Sequence, residues 1–351
     1  MKFGNFLFPE SREPDQDAAR ITETLAEAKL SEALGMDALW LGEHHFDGGC
    51  AYVDPVTFAA SLATATERVR IGFSVIQTSL HHPVRLAEQL SLIDIVSNGR
   101  LIVGLGRGTN INIYEYLGYG IAPEEAQPRY EEADAIINRL WTEERVQHEG
   151  DFWTIDVPVL RPRPMTRPHP FVIRAASGEA SMQGLASRGL PFLMNVQSNA
   201  TTADRIALYR DTMRKAGYSE EETQRNVGEC WVWRNVFVAE TDAEAEKIAL
   251  PAFEAMREHR AAMRTRVYKE RGLAMSHAGN EGAPPKVAPE DAIVYGSPAT
   301  VAEKLSGVEA TGVGGVIMTM RLGPMPHEVA CSSMDLFMNK VAPALDRRAA
   351  A

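Results

Sequence analysis

The sequence predicts an α/β chain closed into a (β/α)8 TIM barrel with insertions at the C-terminal mouth. Three observations predict it. Strand-like apolar runs alternate with helix-like amphipathic segments eight times, and such alternation implies parallel pairing. The 351 residues fit one barrel of about 250 residues enlarged by insertions. No composition break or long linker divides the chain, so residues 1–351 read as a single domain.

The first strand is expected over Lys2–Phe8 and the first helix over Asp15–Leu34, with Ile21, Leu25 and Ala28 on one face and Gly35 as its stop. Asp37–Leu41 is the second strand. Asp54 caps a helix that Pro55 opens and that runs to Ala65. Arg70–Ile76 is the third strand. Pro83 opens the next helix, whose stripe is Leu86, Leu90 and Ile93 and whose end is Asn98-Gly99. Leu101–Leu105 is the fourth strand, and Glu131–Trp141 reads as helical. Phe171–Ala175, Phe192–Asn195, Trp231–Val238 and Gly315–Met320 complete the strands. Helices are expected at about Gly178–Arg188, Thr201–Ala216, Asp242 to beyond His259, and His327 to about Leu345.

Two insertions interrupt this rhythm. Trp141–Met165 carries a hairpin signal around Gly150. Leu273–Pro289 is rich in Gly, Ala and Pro, within a wider stretch of about 260–292. A long loop following the seventh strand would hang over the C-terminal mouth, either as a lid or as passive chain.

The net charge of −11, from 36 basic and 47 acidic residues, argues against a nucleic-acid or membrane-surface partner. No run of about 18 apolar residues suggests a membrane span. The N-terminal segment shows no signal-peptide pattern. Cys50, Cys230 and Cys331 are odd in number and widely spaced, so neither a disulfide framework nor a CxxC site is indicated. A reducing cytoplasm is the expected location.

Chemistry is expected first at Glu43-His44-His45-Phe46, which follows the second strand, because barrel active sites form at strand C-termini. A second histidine pair, His81-His82, follows the third strand, and the two turns can converge on one site. The alternative is two solvated turns. Adjacent residues on extended backbone point opposite ways, so His44 and His45 are poorly placed to chelate one ion, and no metal site is expected. The turn Gly104–Gly108 is too short for the dinucleotide fingerprint. Arg107 within it is either an anion clamp or an exposed residue of a tight turn. Ser177, Gly178 and Ser181 open a helix after the fifth strand, which suits phosphate, or else simply cap it.

These residues resemble the bacterial luciferase-like family of flavin-dependent monooxygenases, nearest its alkanal monooxygenase alpha chains. The resemblance rests on Met1–Leu7, Glu43-His44-His45-Phe46, His82-Pro83-Val84-Arg85 with Ala87-Glu88, Ser97-Asn98-Gly99-Arg100, Arg107-Gly108 and Arg188-Gly189-Leu190-Pro191. It runs nearly end to end and thins after about Leu250. It implies a two-component enzyme that takes reduced FMN from a separate flavin reductase and O2 as co-substrate, and oxygenates a small apolar molecule, an aldehyde or ketone among the candidates, through a flavin C4a-peroxide. It implies that His44 is catalytic, with Glu43 or His45 orienting it. Arg107, Ser177, Gly178 and Ser181 would hold the flavin phosphate. A non-proline cis peptide between Ser74 and Val75 would lie under the isoalloxazine, with Gly106 and Glu88 near the flavin. A homodimer through the helix that Pro83 opens is also implied.

The chain departs from the family at three positions. Gly106 stands where the light-emitting enzymes carry a reactive cysteine, Ile113 where they carry an acid, and Val196 where they carry an aromatic residue. Light emission and a long-chain aldehyde are therefore not implied. A deazaflavin-dependent oxidoreductase and a non-catalytic partner subunit are the alternatives on the same barrel.

Overall fold

The computed structural model describes all residues except 110, 177, 274–288 and 350–351. Eight parallel strands form the barrel: β1 (Lys2–Leu7), β2 (Ala38–Leu41), β3 (Arg70–Phe73), β4 (Leu101–Gly106), β5 (Phe171–Ala175), β6 (Phe192–Met194), β7 (Trp231–Val238) and β8 (Gly315–Thr319). They pair in chain order. The ring closes where Lys2 of β1 pairs with Gly315 of β8. These are the eight strands read from the sequence.

The base of the barrel is filled by two tryptophans. Trp40 on β2 meets Trp231 on β7 edge to face, with centroids 5.1 Å apart, and both are fully buried. Neighbouring strands make room for them. A Cβ on Gly72, paired directly with Trp40, would lie 2.7 Å from the indole, and one on Gly315 would lie 2.4 Å from Trp231. Close packing here leaves space only at the opposite, C-terminal end.

Several elements differ from expectation. The third strand stops at Phe73 and resumes over Ile76–Gln77 after a cis peptide between Ser74 and Val75. The helix expected over Glu131–Trp141 spans Ala126–Thr142. A short strand, Ile293–Gly296, pairs with the upper half of β7 and leads into the helix Pro298–Glu309, with Ser297 as its N-cap. The helix Glu220–Val227 carries a capping box but buries only Thr223 and Val227, so its sequence shows no apolar period. The helix Ile113–Gly118 is six residues long and has no side-chain cap.

The expected hairpin is present, with Val146–Glu149 antiparallel to Thr154–Val157. Of the stretch 260–292, the first part continues the helix Asp242–Glu270. The lid expected over Leu273–Pro289 falls almost entirely outside the described residues. Among the described residues, no helix is long and apolar enough to cross a membrane. All three cysteines are free thiols.

Candidate active site

The strand ends deliver two carboxylate–histidine clusters to the mouth. The first is centred on Glu43, just beyond β2. One of its oxygens, Oε1, lies 3.0 Å from His45 Nε2 and 2.8 Å from His81 Nε2. The other, Oε2, accepts the Gln77 backbone N–H at 2.6 Å, and the Gln77 side chain donates to the Glu43 carbonyl at 2.9 Å. Burial alone would raise the Glu43 pKa, but His81 and His45 hold it down to about 2. His81 is raised in turn: burial opposes its charge, and Glu43 outweighs burial. The two histidine turns therefore converge through one member each, His45 and His81. His82 stays exposed as the N-cap residue of the helix Pro83–Val96.

The second cluster joins His44 to Glu115, which lies 71 residues away on the short helix Ile113–Gly118. His44 Nδ1 is 2.9 Å from Glu115 Oε1, and the same oxygen accepts the His45 backbone N–H at 3.0 Å. Glu115 is fully buried, and its Oε2 has no partner. Burial disfavours the His44 imidazolium, yet the Glu115 charge beside it raises the pKa. The ring edge packs on Phe8, with centroids 5.4 Å apart. With Nδ1 engaged, Nε2 is the nitrogen left for chemistry.

Glu115 thus takes the orienting role expected of Glu43 or His45. His45 is buried behind the wall, and Glu43 reaches the wall with both oxygens engaged. Sequence reasoning missed Glu115, although it is an acid inside the aromatic run Tyr114-Glu115-Tyr116, and a buried acid requires a partner.

The cavity between these clusters has a volume of about 1550 Å³, more than the roughly 300–1,000 Å³ of a typical ligand pocket. Ser74 and Val75 line it at the cis bulge. The bulge explains the glycines of β4. A Cβ on Gly104 would sit 1.7 Å from the Phe73 carbonyl oxygen, and one on Gly106 would sit 2.7 Å from Val75 Cγ2. A cysteine at 106 would displace Val75.

Arg107 and Ser181 also line the cavity. Ser79 Oγ and Tyr116 OH donate to the Arg107 carbonyl at 2.7 and 3.2 Å, which fixes its backbone. Among the described residues its guanidinium hydrogen-bonds only Gln127 Oε1, at 3.3 Å, and its Nε is buried without a partner. Ser181 Oγ donates to the Gly178 carbonyl at 2.9 Å. Gly178 is the N-cap of the helix Glu179–Ala186 and is exposed. Ser177 lies outside the described residues.

Glu88 does not line this cavity. The helix Pro83–Val96 buries Leu86, Ala87 and Leu90 against the barrel, which turns Glu88 outward, 3.6 Å from Arg85. Arg174, Arg188, Trp233, Arg260 and Arg264 complete the walls. Arg174 is neutralised by Asp134.

The (β/α)8 barrel thus carries a wide cavity at its C-terminal mouth, lined by an imidazole that a buried carboxylate holds and by a guanidinium with one buried, unpartnered nitrogen beside a strand bulge. The chain belongs to the luciferase-like monooxygenase family, whose profile matches residues 1–315. The oxygenase component of the flavin-dependent trigonelline monooxygenase of Acinetobacter baylyi is 30% identical over 190 residues, which are 54% of this chain and 52% of that one. The F420-dependent glucose-6-phosphate dehydrogenase of Microbacterium testaceum is 28% identical over 199 residues, 55% of this chain and 59% of that one. The chain therefore spans only about half the length of these curated relatives.

Among solved structures, the monooxygenase RslO1 of Streptomyces bottropensis is similar over 98% of this chain and 99% of its own, with 27% identity and a TM-score of 0.83. The oxygenating constituent of 3,6-diketocamphane monooxygenase of Pseudomonas putida shares the fold over 98% of both chains, with 20% identity and a TM-score of 0.77.

Proposed function

We propose that this chain is the oxygenase component of a two-component flavin-dependent monooxygenase, using reduced FMN from a separate reductase, and O2, on a small molecule. The observation that carries the reading is the His44–Glu115 pair on the wall of a cavity that also presents Arg107 and the Ser74–Val75 bulge. The cavity suits a phosphorylated ring system. The unpartnered, buried Nε of Arg107 offers a phosphate contact, with Ser181 and Arg188 nearby on the same wall. The bulge and Gly106 offer a flat support for the rings.

Bound FMN, once reduced, supplies the activation of O2. The protein's part is position, dryness and proton transfer. Phe6, Phe8 and Trp233 exclude water from the cavity floor. His44 exchanges a proton at Nε2, while Glu115 fixes the ring and stabilises its charged form. The presence of His44 and Arg107 at the cavity argues against a non-catalytic partner subunit.

The F420-dependent relative keeps a deazaflavin reading in view. Oxygen uptake separates the two. The chain charged with chemically reduced FMN and mixed with 18O2 and an organic substrate is expected to place one labelled oxygen in the organic product and the other in water. Oxidation of an alcohol coupled to F420 reduction, without oxygen uptake, would replace this reading.

We also propose a cytoplasmic homodimer. The helix Pro83–Val96 packs Leu86, Leu90 and Ile93 on the barrel and leaves Leu92, Ile95 and Val96 exposed in an outward stripe. Sedimentation of the wild type and of Leu92→Asp tests it. A dimer that becomes a monomer is the expected result, and a monomeric wild type would reject it.

A further inference from the structure

The cations of the cavity fall into two groups. Arg107 follows β4, and Arg188 follows the helix after β5. Arg260 and Arg264 arrive instead from the helix Asp242–Glu270, which follows β7, three strands further round the ring from β4. Four residues apart on a helix, they share one face, and both line the cavity. Arg260 lies over the Phe8 ring at 4.9 Å, and the same ring meets His44 in a T-shaped contact. The second group therefore belongs to the histidine side of the cavity. In agreement, Arg260 is among the charges that act on His44.

Among the described residues, no carboxylate lies within 4 Å of Arg260 or Arg264, and the Nε of each is buried without a partner. The carboxylates that face Arg260 are Glu10 and Asp47; neither is within 4 Å of it, and both hold other groups, although Glu10 Oε2 is buried without a partner. Glu10 holds Arg12 at 2.6 Å, and Asp47 accepts from the Gly49 N–H at 2.8 Å and the Tyr114 hydroxyl at 2.9 Å. Arg257, one turn earlier on the helix, contrasts with them, because Glu254 neutralises it at 3.0 Å. A guanidinium cannot shed its charge, so two that each bury an unpartnered Nε, with no carboxylate within 4 Å among the described residues, are arranged for an incoming anion.

We infer that Arg260 and Arg264 form a carboxylate-recognition subsite, so that the substrate is an organic acid whose apolar, oxidisable body lies against Phe8 and Trp233 beside His44. The inference rests on the reading of this cavity as a monooxygenase site. It narrows the substrate class from apolar molecules to amphipathic acids. Planar, bidentate contacts favour a carboxylate over a hydroxyl or ester group, and the fixed distance from carboxylate to His44 would decide which carbon faces the flavin.

Matched pairs test it: hexanoate with methyl hexanoate, and benzoate with methyl benzoate, each titrated against the purified full chain by saturation-transfer NMR without flavin. The acids are expected to bind at least tenfold more tightly than their esters. The double variant Arg260→Met, Arg264→Met should abolish this preference, while Arg260→Lys, Arg264→Lys retains part of it. Thermal melts monitored by circular dichroism report whether each variant folds. Affinity for reduced FMN, measured anaerobically, should be unchanged in the Met variant. Equal binding of acids and esters, or no binding of any acid, would overturn the inference. So would a tenfold loss of FMN affinity in the Met variant, since the arginines would then hold the flavin phosphate. A wild type that prefers acids but binds no reduced FMN would remove the monooxygenase reading and leave the acid subsite standing.

Discussion

Two carboxylate–histidine clusters stand a few residues apart at the end of β2, built from the same residue types and arranged for different ends. Glu43 is saturated: two imidazoles and a backbone N–H occupy its oxygens, and its pKa falls to about 2. Glu115 grips one imidazole through Nδ1 and leaves that ring's other nitrogen toward the cavity. A carboxylate whose contacts are all internal ties loops together. One that orients a ring with a free nitrogen prepares chemistry. Residue type does not separate the two; the accessibility of the last unpaired nitrogen does.

Replacements at each cluster can break that comparison. His44→Ala should have the largest effect, a loss of roughly 10²–10⁴-fold in turnover, the usual range for a general acid–base group, with FMN affinity retained. An equal loss of binding and turnover would assign His44 to binding instead. Glu43→Gln should cost about 3–5 kcal/mol of stability, because it leaves two histidines and a buried backbone N–H around a neutral group. Urea denaturation reads this directly. Glu43 titrates at about 2 in the folded chain against an ordinary 4.5. The stability it contributes is therefore present above about pH 4.5 and is lost as the pH falls toward 2. The Gln variant should show a flatter acid limb in that window.

Glu115→Gln sharpens the comparison further. Glu115 raises the His44 pKa, so its neutralisation should move the His44 limb of the pH–rate profile to lower pH. Glu115→Asp should restore part of that shift. A uniform drop in rate with an unmoved limb would make Glu115 merely structural. The smallest effect is expected at His82, which is exposed and outside both clusters. His82→Ala should change stability by less than about 0.5 kcal/mol and leave turnover intact. A large loss there would show that the second histidine turn was assigned by the wrong member.

Most of the framework was legible in the sequence, and the pairing of the clusters was not. All eight barrel strands could be read because each is an apolar run between helical periods, and the cis bond at Ser74–Val75 followed from the family resemblance. The stretch Ile113–Gly118 was missed because six residues without a cap give no period to detect. Its acid was missed with it. That His44, and not His45, faces the cavity depends on the register of β2 against its neighbours, which alternation alone leaves two-fold ambiguous. Glu88 lies off the cavity wall, and the stripe Leu86, Leu90 and Ile93 already signals that it turns outward. The turn Gly104–Gly108 read either as an anion clamp around Arg107 or as a tight barrel turn. Gly104 and Gly106 also make room for the end of β3, which the sequence did not signal.

The most direct test is anaerobic titration of the chain with reduced FMN, followed by rapid mixing with oxygenated buffer under spectral recording. The account predicts saturable binding that Arg107→Ala weakens. It also predicts an absorbance transient distinct from both reduced and oxidised FMN, whose decay His44→Ala alters without abolishing binding. No binding of reduced FMN, or oxidation at the rate of free FMN with no transient and no influence of His44, would contradict it.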